Sequence, residues 1–295
     1  MKPQISIQGI SSAAELPKEN TPSARPIVIE PRSSWAPLDL SELWEYRDLL
    51  YFLIWRDLKA RYRQTALGPF WIVLQPIISM ALYTILFGYI AKLPSDGIPY
   101  SVFSYVGLMP WGFFASSLTN GSSSLLGSKD LISKIYFPRF LNPLAKTIGS
   151  LIDLSIEFII LVLLLIYYRL QPTWGLALIP LFLFIAATTG LGFGMLFSGL
   201  VVKYRDFGNL VGYISRTWMY TLPIVYSVTL IPEQWRFIYS LNPMFSVIVG
   251  FRWALTGTEP PSPLIIALNT IAGLLLFICG MFVFKRVERD IVDLL

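Results

Sequence analysis

The sequence has no histidine, one cysteine and few charges. Without histidine the commonest general base and metal ligand is missing, which argues against catalysis and against a metal site. Cys279 stands alone inside an apolar run, so the chain can build neither an internal disulfide nor a cysteine metal site. Charged residues make up 14% of the 295, where soluble domains carry about a quarter. A phosphate-binding loop is also missing. Its nearest imitation, Gly121 to Lys129, puts five residues rather than four between its glycines and follows an apolar run instead of a strand. If ATP is used, another chain binds it. No apolar core follows Met1 and Lys2, so a signal peptide is not expected. The apolar runs do not alternate with polar residues, which argues against a β-barrel, and no inverted internal repeat is visible.

What is present is hydrophobic: 55% of residues, gathered into membrane-length runs. The expected fold is an all-α integral membrane protein with six transmembrane helices. The runs are Leu67–Ala91, about Ser101–Leu118 with a small polar continuation to Ser124, Thr147–Tyr168, Gly175–Val202, Gly208–Val228 and Pro263–Phe284. Arg56, Lys59, Arg61 and Arg63 crowd against the first run and hold its start in the cytoplasm. With that orientation thirteen near-membrane cations fall inside, and only Lys92, Arg169, Arg236 and Arg252 fall outside. Both termini are then cytoplasmic. The clustering also points to anionic headgroups rather than nucleic acid as the partner of the net charge of +5.

Four parts follow: a proline-rich flexible cytoplasmic tail over 1–40, an amphipathic interface helix over 41–66, a transmembrane domain over 67–285, and a C-terminal cytoplasmic tail over 286–295. The stretch between the last two runs is outward-facing yet aromatic and aliphatic, which an aqueous loop would not tolerate. Two short helices over 231–256, broken near Asn242–Pro243 and dipping back into the membrane, resolve the conflict.

Two inner loops, 127–143 and 203–207, add aromatic and aliphatic residues to their charges, as a partner's groove would require. Asp153 and Glu157 lie one turn apart inside the third run, and acids inside a span are functional suspects. Counting about 1.5 Å per residue puts Asp153 and Arg216 at similar depths, so an Asp153–Arg216 ion pair is expected. A proton relay through Asp153 and Glu157 is the alternative. Ala186, Gly190, Gly194 and Ser198 recur every fourth residue and make a smooth packing stripe. Aromatics are abundant, and aromatic faces stack on sugar rings as well as on lipid.

Several strings in fixed order carry a resemblance: the basic helix running through Arg61–Pro76, KIYFPR at Lys134–Arg139, KYRDF at Lys203–Phe207, PIVY at Pro223–Tyr226, and the Ile-Pro and Asn-Pro-Met pair within Ile231–Met244. Over about 41–295 the chain resembles the membrane subunit of an ABC-2-type polysaccharide exporter, the permease for O-antigen, capsule or teichoic-acid chains. The resemblance implies a homodimer paired with two ATP-binding subunits, with ATP and Mg²⁺ bound there and no cofactor on this chain. It implies ATPase contacts at Lys129, Asp130, Lys134, Tyr136, Phe137, Arg139, Lys203, Arg205, Asp206 and Phe207. Channel aromatics are expected at Trp71, Tyr83, Phe87, Tyr105, Phe113, Phe114, Trp218, Tyr220 and Tyr226. The implied substrate is an undecaprenyl-linked glycan whose pyrophosphate docks near Arg56, Lys59, Arg61 and Arg63. The implied location is the bacterial inner membrane. An ABC-2-type exporter of drugs or small lipids would share this fold. A proton-coupled secondary transporter using Asp153 and Glu157, and a membrane transferase, are the readings from other classes.

Overall fold

The computed structural model describes residues 44–63, 68, 70–204 and 206–294. The tail expected over 1–40, most of the 64–69 corner and Arg205 lie outside the described residues. Every regular element among the described residues is helical. Four helical stretches are long and apolar enough to cross a membrane: Phe70–Ile90, Leu141–Tyr167, Trp174–Lys203 and Pro263–Glu288.

Helix α1 spans Arg47–Tyr62. Leu53 is its fully buried residue and joins Phe137, Leu141 and Ala145 in a small core, while Trp44, Tyr51, Phe52 and Trp55 stay exposed. Gly68 has a φ of +51°, in the left-handed region that glycine occupies without a Cβ clash. Helix α2 (Phe70–Tyr83) follows, and Thr84–Ile90 extends it as a π-helix. Neither part contains a buried residue, so this apolar stretch is dressed for lipid or another chain.

Helix α3 (Tyr100–Ser122) is the centre of the bundle and is mostly buried. It continues through the small polar run that the sequence left open. Two single turns, α4 (Ser124–Gly127) and α5 (Lys129–Ile132), follow it into the first of the two inner loops. Helix α6 spans Leu141–Tyr167. A 3₁₀ turn at Trp174–Leu178 leads into α7 (Ile179–Lys203).

The small-residue stripe is an internal seam between α7 and α3. A Cβ on Gly194 would lie 3.2 Å from Gly121 Cα, and one on Gly190 would lie 2.9 Å from Ser117 Cβ. Removing side chains lets two helices approach closely and gain dispersion contacts that lipid would otherwise supply. On its other side α7 packs against α11 (Pro263–Leu294), where Gly280 faces the Gly192 carbonyl so closely that a Cβ would come within 2.3 Å of it.

The fifth expected run, Gly208–Val228, departs from expectation. Helix α8 runs only from Asp206 to Trp218, followed by a 3₁₀ turn at Met219–Thr221 and non-helical backbone. Leu222 is extended (φ −117°, ψ 152°), the conformation that Pro223 imposes on its predecessor. The two helices expected over 231–256 exist as α9 (Glu233–Ser240) and α10 (Pro243–Thr256). Asn242 caps α10 by accepting from the Met244 amide at 3.1 Å, and Gly257 ends it at φ +76°. The two are unlike. In α9 only Ser240 is buried, whereas in α10 every residue but Val249 and Thr256 is buried.

Candidate translocation site

Ion pairs fasten α1 to α6. Lys146 Nζ lies 2.9 Å from Asp57 Oδ2, and Arg56 reaches the other oxygen of Asp57 at 2.9 Å. Further along, Arg61 pairs with Asp153. The Asp153–Arg216 pair expected from matching depths is therefore replaced: Asp153 takes Arg61, and Arg216 is exposed with no ion pair among the described residues. Helix α6 packs on α1, α2 and α3, whereas α8 packs on α3 and α7. Depth counted along a helix says nothing of the direction a side chain faces. Of the four cations beside α2, Arg56 and Arg61 are thus tied to acids. Lys59 and Arg63 are exposed and carry no ion pair among the described residues.

A cavity of about 450 Å³ opens between α2, α3 and α6. Arg61, Asp153 and Glu157 line it, with Gln75, Ser79, Ser116 and Ser150 as neutral polar groups. Trp71, Tyr105, Trp111 and Phe113 supply the aromatic wall. The Tyr105 hydroxyl donates to the Glu157 backbone carbonyl at 3.1 Å, leaving the Glu157 carboxyl without a hydrogen bond or ion pair among the described residues. Aromatic faces beside carboxyl, amide and hydroxyl groups form a surface that can stack on a ring and also accept from its hydroxyls.

The nine expected channel aromatics separate into groups within one copy of the chain. Trp71, Tyr105 and Phe113 face the cavity. Phe114 is fully buried and meets Trp218 edge-on at 5.5 Å, so it belongs to the packed core rather than to a wall. Trp218 also meets Phe193 at 5.3 Å. Tyr83 stacks on Phe87 at 5.7 Å, the latter inside the π-helix. Tyr220 is exposed, and Tyr226 borders a second cavity of about 500 Å³ with Trp235 and Tyr239.

The expected partner contacts divide in the same way. Lys129, Asp130, Lys134, Lys203 and Asp206 are exposed, and Tyr136 is 74% exposed. Phe137 is 3% exposed and packs against Leu53, so it anchors its loop to α1 and offers nothing outward. Arg139 is also turned inward, donating to the Glu288 carbonyl and standing 3.9 Å from its carboxylate. Phe207 leans on Phe197 at 6.0 Å. Ile135 and Tyr136 are therefore the projecting apolar side chains of this loop.

Sequence reasoning missed Asp57 and Lys146, which look like unremarkable surface charges until α1 and α6 meet. It also missed Arg252, counted among the outer cations but 2% exposed on α10. Its signal was there: a lone cation inside a run of apolar residues.

Residues 48–256 match the family model described as ABC-2 type transporter. The chain is 30% identical over 213 residues to the O-antigen export system permease protein RfbA of Myxococcus xanthus, covering 72% of this chain and 81% of that protein. A Klebsiella pneumoniae protein of the same name is 30% identical over 253 residues, covering 84% and 95%. The polysialic acid transport protein KpsM of Escherichia coli is 22% identical over 217 residues, covering 69% and 79%. With its apolar membrane-length helices and a family match across most of its length, the chain belongs to the ABC-2 type transporter family.

Proposed function

We propose that the chain is the permease subunit of an exporter that moves lipid-linked polysaccharide outward across the bacterial inner membrane. The observation that carries this reading is the likeness, over most of the chain, to permeases named for O-antigen export. The cavity of aromatics and carboxyl groups beside α2 supports it, because a glycan needs stacking faces and hydrogen-bond acceptors while a purely apolar cargo needs neither.

In this reading two copies of the chain pair with two ATP-binding subunits, and ATP with its Mg²⁺ acts there. Helices α3 and α8 are the crossings that complete six, with both termini cytoplasmic. The exposed α2 and π-helix line the seam between copies. The partner engages Ile135, Tyr136 and the charges of 203–207, and Phe137 and Arg139 pass its movement to α1 and α11. Because α1 is pinned to α6 by two ion pairs, the helices move as one body. An undecaprenyl pyrophosphate docks at Lys59 and Arg63, and the sugar chain runs past Trp71. Deleting the chain's gene and assaying surface glycan tests the reading. Loss of long-chain glycan with its lipid-linked precursor held inside supports it. Unchanged surface glycan contradicts it.

A further inference from the structure

Arg252 is the one charged side chain among the largest fully buried residues. Its Nη2 donates to the carbonyls of Pro223 at 3.0 Å and Ile224 at 3.1 Å, and its guanidinium lies 3.6 Å from the centroid of the Phe103 ring. Its Nε has no acceptor, and no carboxylate stands within ion-pair distance among the described residues. Two neutral carbonyls, one ring face and the Asp96 carboxylate acting from beyond ion-pair distance are poor compensation for a fully buried cation. An apolar side chain of similar size would fill the space at lower cost. What the arginine adds is a link that exists only while the linker after α8 keeps this position.

Two further contacts hold the linker. The Tyr100 hydroxyl donates to the Val225 carbonyl, and Ser227 Oγ lies 2.5 Å from Asp96 Oδ1. Helix α10 itself is a fixed post. The Thr173 amide donates to the Ala254 carbonyl at 2.9 Å, and a Cβ on Gly250 would come 2.3 Å from Phe182 Cζ. Helix α9 lacks such anchorage, since it buries only Ser240. The linker, though its Leu222, Ile224 and Val225 side chains are buried, has no regular helix to hold its backbone between Thr221 and Val228.

We propose that Arg252 is a positioning residue for export: from the fixed α10 it catches the 222–227 linker, holds the outer end of α8, and releases the linker when the outer mouth opens. This rests on the reading of the chain as an exporter; it takes the outward-facing stretch 222–256 as the outer mouth and divides it into a post (α10) and a moving part (the linker and α9).

The test uses the full chain with its ATP-binding subunit in proteoliposomes, in a Cys279→Ser background with Val225→Cys as reporter, a linker position only 4% exposed while the linker is held. A membrane-impermeant maleimide added on the outer side reads how open the linker is. The parent should label slowly without ATP and faster with ATP and lipid-linked glycan. Arg252→Gln should label about tenfold faster without ATP, the change expected when hydrogen bonds to a charged donor are lost. Arg252→Lys should restore much of the slow behaviour, which a purely space-filling role would not predict. Gly107→Ala is the second variant, because its Cβ would stand 3.0 Å from the Ile224 carbonyl and 3.2 Å from Arg252 Nη2. It leaves the arginine in place, should also label faster, and carries the test if Arg252→Gln does not assemble. Slow labelling of both Arg252→Gln and Gly107→Ala, in a parent that responds to ATP and glycan, overturns the catch. A parent that does not respond at all overturns the exporter mouth on which it rests.

Discussion

The join between α1 and α6 makes the sharpest energetic prediction. Lys146 Nζ and Asp57 Oδ2 are 2.9 Å apart, with side chains 23% and 15% exposed. At an effective dielectric of about 20 their attraction is roughly 6 kcal/mol. Desolvating both groups returns most of that, and a partly buried pair of this kind should retain a coupling of about 1–2 kcal/mol. The perturbation is a cycle of Asp57→Asn, Lys146→Met and the double variant. Local opening of α1 frees the helical backbone after the exposed Lys59 for trypsin, and the cleavage rate tracks the open population when reclosing is fast. Each single change should raise that rate about tenfold. The double change should raise it by clearly less than the product, because the second substitution has no partner left to lose. Additive effects, with a coupling under about 0.3 kcal/mol, would refute a part for this pair in pinning α1 and leave the Arg61–Asp153 pair and the packing around Leu53 to hold it.

Other expectations follow from side-chain direction. Tyr136→Ala should weaken ATPase coupling without lowering the melting temperature, because the ring projects outward, whereas Phe137→Ala should destabilise the chain by about 3 kcal/mol, read by thermal unfolding in detergent. Gly280→Ala should push α7 and α11 apart, since its Cβ meets a backbone carbonyl that has no rotamer to change. A loss of at least about 2 kcal/mol is expected in the same assay. Neutralising Lys59 and Arg63 together should reduce binding of a lipid pyrophosphate, measured by co-sedimentation with vesicles, while leaving the melting temperature in place.

The long helices were legible because apolar length and turn chemistry fix them: α3 ends at Ser122 within the run expected to end between Leu118 and Ser124. The Gly190 and Gly194 stripe was legible for the same reason, since a missing side chain has one dominant use between helices. Direction around a helix was not legible. Asp153 was matched to the wrong cation, and Phe137 and Arg139 were read as outward when Leu53 and Glu288 hold them in. Those partners are 84 and 149 positions away, beyond any local pattern. The stop at Trp218 was hidden because the apolar composition runs on through residues that Pro223 forces out of helix. The unlike burial of α9 and α10 was hidden too, because both carry aromatic and aliphatic residues, and only the insertion of α10 against α3 and α7 tells them apart.

The most direct test of export is ATP hydrolysis by the purified complex of this chain with the ATP-binding subunit of its own cell, reconstituted in lipid vesicles. Lipid-linked glycan from that cell should stimulate hydrolysis and appear in the vesicle lumen when the ATP-binding face is outside, and Trp71→Ala should reduce transport more than hydrolysis. Hydrolysis indifferent to the glycan, or stimulated equally by small apolar compounds that are then moved in its place, would contradict the account.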